Sequence, residues 1–132
     1  MKRPQRWAHI TALAGVSIDR PAGAIINLLL THATEQFRLQ DIASSLGIEA
    51  PSVTRKTQEL ERAGYLARLP DPKDGRAVSF YLTPAGIQLG RSLHAAQREF
   101  LKRGMQTWTD EDARQLVALL ERFNDDIAQS YE

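Results

Sequence analysis

Cysteine is absent from the 132 residues of this chain. Its absence excludes disulfide scaffolds, cysteine zinc sites and thiol nucleophiles, and it favours a reducing cytoplasmic location. Long apolar runs are also lacking, because the longest, residues 22–30, contains Asn27 and is far shorter than the roughly 18 residues of a membrane-spanning helix. The composition therefore predicts a cytoplasmic globular protein of one domain, with no membrane partner.

Motifs for catalysis are missing as well. The sequence contains no GxSxG, HExxH or phosphate-binding loop pattern. Its three histidines, His9, His32 and His94, share no ligand spacing, so we predict no metal site. Asp71 and Asp74 are predicted to lie in a solvated turn, which is not the apolar environment that a catalytic carboxyl group usually needs. The sequence therefore predicts neither an enzyme nor a bound cofactor.

Neither sign of charge is in large excess, since 17 Lys and Arg stand against 16 Asp and Glu and the net charge is +1. The distribution is uneven, however: residues 1–104 carry +6, whereas residues 105–132 carry −5. A basic body with an acidic end is typical of a protein that binds a polyanion and turns its acidic end away. The alternative is that these charged side chains only form the solvated faces of helices.

Cap and turn residues divide the chain into short elements. Asp19 and Pro21 indicate the start of a largely apolar helix over 22–32, and Arg38 and Leu39 could form a minimal strand. Pro51 opens a helix that Gly64 ends. A hairpin is predicted from 65–69 and 78–82, with a polar tip over 70–75. The periodicity predicts further helices over 5–16, 40–46, 85–104 and 110–131.

Helix, turn, helix and hairpin follow one another between residues 40 and 82, which is the order of a winged helix-turn-helix. The fold class indicated is mainly α with a small β-hairpin (α+β). Five segments resemble, in order and spacing, the MarR family of bacterial transcription regulators. These segments are Leu39–Ile48, Ser52–Arg55, Leu60–Leu66, Asp71–Arg76 and Leu82–Gly86.

The resemblance implies a single MarR-like domain over 1–132, with a winged lobe at about 37–84. It also implies a homodimer built from terminal helices, here at about 5–16 and 85–131, and a small-molecule pocket near their junction with the lobe. These flanking helices fit the family by length and apolar stripe rather than by motif.

Two groups of side chains are candidates for DNA contact. A helix inserted into the major groove would present Ser52, Thr54, Arg55, Lys56 and Gln58, of which Arg55 is the leading candidate. At the tip of the wing the resemblance implies that Arg76 enters the minor groove, that Asp74 holds its guanidinium, and that Lys73 adds a phosphate contact. The alternatives are that Arg55 pairs with a carboxylate of its own lobe and that the tip is an ordinary polar turn.

The resemblance also suggests an effector pocket lined by apolar and aromatic side chains. The candidates are Trp7, His9, Ile10, Ile26, Leu30, His32 and Trp108. Each of these residue types is more often part of a core than of a ligand site.

The sequence thus predicts a transcriptional regulator that binds double-stranded DNA as a homodimeric repressor of a pseudo-palindromic operator. A small-molecule effector would release it by favouring one separation of the two lobes. Two other classes of protein stay open: a winged-helix module that binds protein, and a ligand sensor that does not bind DNA.

Overall fold

The computed structural model covers residues 3–131, which form six α-helices and a three-stranded antiparallel sheet. The helices are α1 (Arg3–Ala14), α2 (Arg20–Thr31), α3 (Leu39–Leu46), α4 (Ala50–Arg62), α5 (Pro84–Gly104) and α6 (Asp110–Ser130). The strands are β1 (Phe37–Arg38), β2 (Leu66–Pro70) and β3 (Val78–Leu82). The predicted α+β class is confirmed. Within this range no helix is both long enough and apolar enough to cross a membrane.

Local signals determine where several helices begin and end. Asp19 caps α2, since its Oδ1 accepts the N–H of Ala22 at 3.0 Å. Thr109 and Asp112 form a reciprocal capping box at the start of α6, with bonds of 3.1 and 2.9 Å. Gly47 ends α3 in the left-handed conformation, with φ of 63°. These boundaries agree with the sequence prediction.

The predicted hairpin is part of a sheet with one more partner strand. The strand order is β1-β3-β2, and Phe37 and Arg38 of β1 pair with Phe80 and Ser79 of β3. The minimal strand predicted at 38–39 therefore lies one residue earlier. Leu39 instead begins α3, because the Arg38 N–H donates to Asp41 Oδ2 at 2.8 Å and marks the helix N-terminus there.

The chain divides into two compact units, Met1–Phe100 and Leu101–Glu132. The core of the first unit is centred on α2, which contacts α3, α4 and β3. Ile25, Ile26, Ile42 and Val53 are completely buried in it. The prediction of one domain over 1–132 stays a prediction.

The second unit contains α6, none of whose described residues is buried. Leu116, Leu120, Phe123 and Ile127 all lie exposed at the three- and four-residue spacing of one helix face. A long apolar stripe on a water-exposed helix is unusual for a monomer.

Gly86 allows the start of α5 to pass close to the backbone of Tyr65, which lies between α4 and β2. A Cβ at this position would overlap the carbonyl oxygen of Tyr65, which also accepts the Thr83 N–H at 3.1 Å. We expect Gly86→Ala to lower the free energy of unfolding by about 1–3 kcal/mol, the usual cost of overpacking. Chemical denaturation measures this change.

Gly104→Ala is the matched control, because a Cβ at Gly104 meets no atom within 4 Å. It should leave stability unchanged or raise it by up to about 1 kcal/mol through better helix propensity. Equal destabilisation by the two substitutions would contradict the close approach at Gly86.

Candidate nucleic-acid interface

Helix α4 has one buried face and one exposed polar face. Val53, Thr57 and Leu60 are buried in the core, and the Thr57 hydroxyl donates to the carbonyl of Thr54 at 3.0 Å. Arg55 and Gln58 lie exposed on the other side. Since the first helical turns contain Pro51 and no acidic residue, the exposed face presents cationic and hydrogen-bonding groups.

The predicted contact residues of α4 differ in how free their side chains are. Within residues 3–131, Arg55 has no ion-pair partner. The structure therefore contradicts the alternative that Arg55 pairs with a carboxylate of its own lobe. Ser52 and Thr54 are half-buried, and the Thr54 hydroxyl donates to the Ala50 carbonyl at 3.1 Å. The Thr54 oxygen keeps its capacity as an acceptor.

Among the predicted contact residues of α4, Lys56 is the one whose charge is already paired. Its ammonium binds the carboxylate of Asp19 and lies 3.1 Å from Glu59 Oε2. The hydrogen bond to Asp19, followed by that to Glu59, raises the pKa of Lys56. Two carboxylates of its own subunit therefore neutralise this cation.

The wing is organised by Asp71, which the sequence had placed in a solvated turn. That expectation is wrong, because Asp71 is only 4% exposed. Its Oδ2 accepts bonds from Arg38 Nε at 2.7 Å and from the Ser79 hydroxyl at 3.2 Å. Its Oδ1 accepts the backbone N–H groups of Lys73 at 2.8 Å and Asp74 at 3.3 Å. The buried carboxylate thus joins the wing tip to the end of β1.

These bonds strongly favour the ionised form of Asp71. The Arg38 hydrogen bond is the largest cause, the Lys73 N–H adds to it, and together they lower the pKa of Asp71 to about 2 against the opposing effect of burial. The same bond raises the pKa of the Arg38 guanidinium. The pair is therefore charged throughout the physiological pH range.

At the tip of the wing, Asp74 acts on the backbone of Arg76. Asp74 Oδ1 accepts the Arg76 N–H at 3.1 Å, which differs from the expectation that Asp74 holds the guanidinium. Lys73 and Arg76 are exposed, and within the described range neither side chain has an ion-pair partner. Asp74 shapes the turn, and the two cations extend from it.

A further ion pair connects the hairpin to α4. Arg68 of β2 donates to Glu61 at 2.8 Å, and its guanidinium lies 5.5 Å from the centre of the Phe80 ring. A cleft of about 480 Å³ lies between α4 and the sheet, and Arg38, Gln58 and Arg68 are among the residues that line it. Sequence reasoning missed Arg38 and Arg68, because neither belongs to a motif and both partners are set by the fold.

A cavity of about 480 Å³ lies among α1, α2 and α5 in the first unit. Of the predicted pocket residues, Trp7, Ile10 and Ile26 line it. Arg6, Arg20, Asn27 and His94 add polar groups, and His94 Nε2 lies 2.5 Å from Asn27 Oδ1.

The other predicted pocket residues have different neighbours. The His9 ring packs near Phe100, and the His32 ring packs edge-on against Phe37. Leu30 fills the space above Gly90. Trp108 belongs to the second unit, where it lines a groove with Leu116 and Leu119. Across residues 3–131 no group of three or more His, Asp or Glu is arranged to hold a metal ion.

Comparison with known proteins agrees with this geometry. Residues 28–78 match the model of the MarR family. The HTH-type transcriptional regulator YkoM of Bacillus subtilis (strain 168) is 31% identical over 99 residues, covering 75% of this chain and 63% of that relative. The chain therefore spans less than two thirds of the length of YkoM.

Solved structures share the fold. MepR, a transcription regulator of the Staphylococcus aureus multidrug efflux pump MepA, superposes with a TM-score of 0.75 at 22% identity, covering 94% of this chain and 90% of that one. The heme sensor protein PefR from Streptococcus agalactiae superposes with a TM-score of 0.69 at 18% identity, covering 97% and 88%. The fold and the exposed helix define a winged helix-turn-helix protein. In sequence, its residues 28–78 are similar to the MarR family.

The Asp71 pair makes a prediction for pH titration. In an NMR titration the Asp71 carboxyl carbon should have its midpoint at about 2, below the ordinary value of 3.8. Because the folded-state pKa is depressed, the pair's contribution to stability is complete above 3.8 and is lost as pH falls toward about 2. Arg38→Ala should move the midpoint upward, since it removes the largest cause of the shift.

Arg68→Ala is the control, because Arg68 pairs with Glu61 rather than Asp71. It should leave the Asp71 midpoint where it is. An Asp71 midpoint that does not respond to Arg38→Ala would contradict the assigned pair.

Proposed function

We propose that this chain is a transcriptional regulator that binds double-stranded DNA as a homodimer and represses a pseudo-palindromic operator. The observation that carries the proposal is that three exposed cations, Arg55 on α4 and Lys73 and Arg76 on the wing, have no ion-pair partner among residues 3–131. The match of residues 28–78 to the MarR family supports it, as does the solved complex of MepR with DNA. The site of action would be the cytoplasm, where bacterial DNA lies.

The α4 side chains would act in the major groove. Arg55 and Gln58 are long and exposed, so they suit base edges, and Ser52 and Thr54 suit phosphates near the start of the helix. We assign Lys56 to positioning, because its charge is already neutralised by Asp19 and Glu59.

The wing would act through charge and shape. Arg76 suits a narrow minor groove, Lys73 suits a phosphate, and Asp74 keeps the turn that presents them. Arg38 uses its Nε for Asp71 and keeps its terminal nitrogens as further donors. Its side chain is 43% exposed, so we add it as a phosphate contact.

A second copy of the chain would cover the exposed stripe of α6. Apolar side chains on this face are exposed to water, and Phe123 is 58% exposed. Burying apolar surface contributes a favourable free energy of roughly 25 cal/mol per Å². The acidic residues 110–112 lie in the first turn of α6, before the stripe begins.

The cavity beside Trp7 would hold a small-molecule effector. Its walls are largely apolar, and Arg6 and Arg20 are among the residues that line it. Such a cavity suits an anion that carries a large apolar or aromatic group. The solved structures of MepR with ethidium bromide and of PefR with heme support the capacity of this fold to take up planar aromatic molecules.

Selection of bound duplexes from a random pool tests the proposal. Purified protein should enrich a motif with two half-sites about one helical turn apart. Its affinity should fall by roughly 10³-fold between about 50 and 200 mM salt if about six phosphates are contacted. A protein-binding module or a sensor without DNA contacts would enrich no motif and bind no duplex at low salt.

Arginine variants separate the two halves of the interface. Arg76→Ala should weaken binding on all sequences and reduce the salt slope by about 1, whereas Arg55→Ala should cost about 1–3 kcal/mol and relax one position of the motif. Arg114→Ala is the control, because Arg114 lies on α6 beside Glu111. Uniform loss across all sequences for Arg55→Ala would reject a base contact by that residue.

The dimer makes its own prediction. Phe123→Glu should convert the dimer to a monomer in sedimentation velocity, because it places a carboxylate in the middle of the stripe. Ala118→Glu adds the same group on the opposite side of the helix and should leave the dimer intact. Dimers that persist in Phe123→Glu would show that another surface joins the copies.

A further inference from the structure

We propose that Asp19 is a positioning residue that couples the cavity beside Trp7 to the recognition helix α4, through its ion pair with Lys56. The inference rests on the proposed function, since its consequence is a change in DNA affinity. Asp19 and Lys56 are 37 residues apart in the sequence, and the fold alone brings them together.

The first contact runs from the cavity wall to the loop before α2. The Trp7 indole lines the cavity, and its Nε1–H donates to the carbonyl of Ile18 at 2.9 Å. The same ring lies against Gly23, where a Cβ would overlap it. The indole therefore holds the residue that immediately precedes Asp19.

The second contact runs from Asp19 to α4. One carboxylate oxygen of Asp19 caps α2 by accepting the Ala22 N–H, and the other binds the Lys56 ammonium. Partial burial raises the pKa of Asp19, but the bonds from Lys56 and Ala22 outweigh it and the net pKa is lowered. One carboxylate thus connects the start of the cavity helix to the middle of α4.

The geometry predicts how a change in the cavity reaches α4. A ligand that displaces the indole would break its bond to Ile18, free the loop at Asp19 and loosen the ion pair. A ligand can shift the position of α4 only if it binds the two arrangements unequally, and displacement of Trp7 supplies such a difference.

A double-mutant cycle on DNA affinity tests the coupling. Trp7→Phe removes the indole N–H and should weaken binding to the selected duplex by about 2–5-fold, as expected for one exposed ion pair. Asp19→Asn retains a capping side chain and breaks the same ion pair, while its own effect on affinity also includes the loss of a negative charge beside α4. In the Asp19→Asn background, Trp7→Phe should have no further effect.

Glu59→Gln supplies the matched control, because it removes the other carboxylate beside Lys56 and leaves Asp19 in place. The effect of Trp7→Phe should persist in that background. A full effect of Trp7→Phe in the Asp19→Asn background would overturn the proposal.

The side-chain ammonium signal of Lys56 in NMR gives a second readout that needs no DNA. The signal should move in Trp7→Phe and in Asp19→Asn, and a signal that stays at its wild-type position in Trp7→Phe would overturn the coupling. If Trp7→Phe does not fold, Gly23→Ala displaces the same ring from the other side and should move the same signal. Wild-type protein that binds no duplex would instead reject the proposed function, while the Lys56 signal still tests the coupling.

Discussion

The wing depends on one buried negative charge. A carboxylate as enclosed as that of Asp71 would be costly without partners, and here four donors surround its two oxygens. Arg38, the charged donor, ends β1 and directly precedes α3. The bond therefore connects the wing tip to the residue that directly precedes the first helix of the helix-turn-helix. Loss of one partner would leave the other charge uncompensated.

Most of the fold could be predicted because its signals are local. Capping at Asp19 and Thr109, the left-handed end of α3 at Gly47 and the amphipathic pattern of α4 each depend on residues within a few positions. The pairs Arg38–Asp71 and Lys56–Asp19 join residues 33 and 37 positions apart. No periodicity encodes such pairs, so the sequence identified Lys56 as a cation but not as a neutralised one.

The chemistry of α6 suits a protein that binds both a second copy and DNA. At 100° per residue, Glu121 and Asp125 lie opposite the stripe of Leu116, Leu120 and Phe123. A partner helix can therefore cover the apolar side without desolvating these carboxylates. The net charge of −5 over residues 105–132 would be repelled by phosphates, whereas the +6 of residues 1–104 would be attracted. The two proposed binding surfaces thus differ in net charge as well as in position in the sequence.

The small free energy of the Asp19–Lys56 ion pair limits how far this pair alone can change DNA affinity. An exposed ion pair contributes about 0.2–1 kcal/mol, which changes an equilibrium constant by about fivefold at most. Moving a protein from 99% bound to 99% free needs a differential affinity of about 5.5 kcal/mol. The proposed link can therefore change the position of α4 only slightly, and full release of the proposed dimer would require its two lobes to change separation together. If the proposed dimer binds both half-sites at once, a small displacement in each lobe adds to the misfit on the operator.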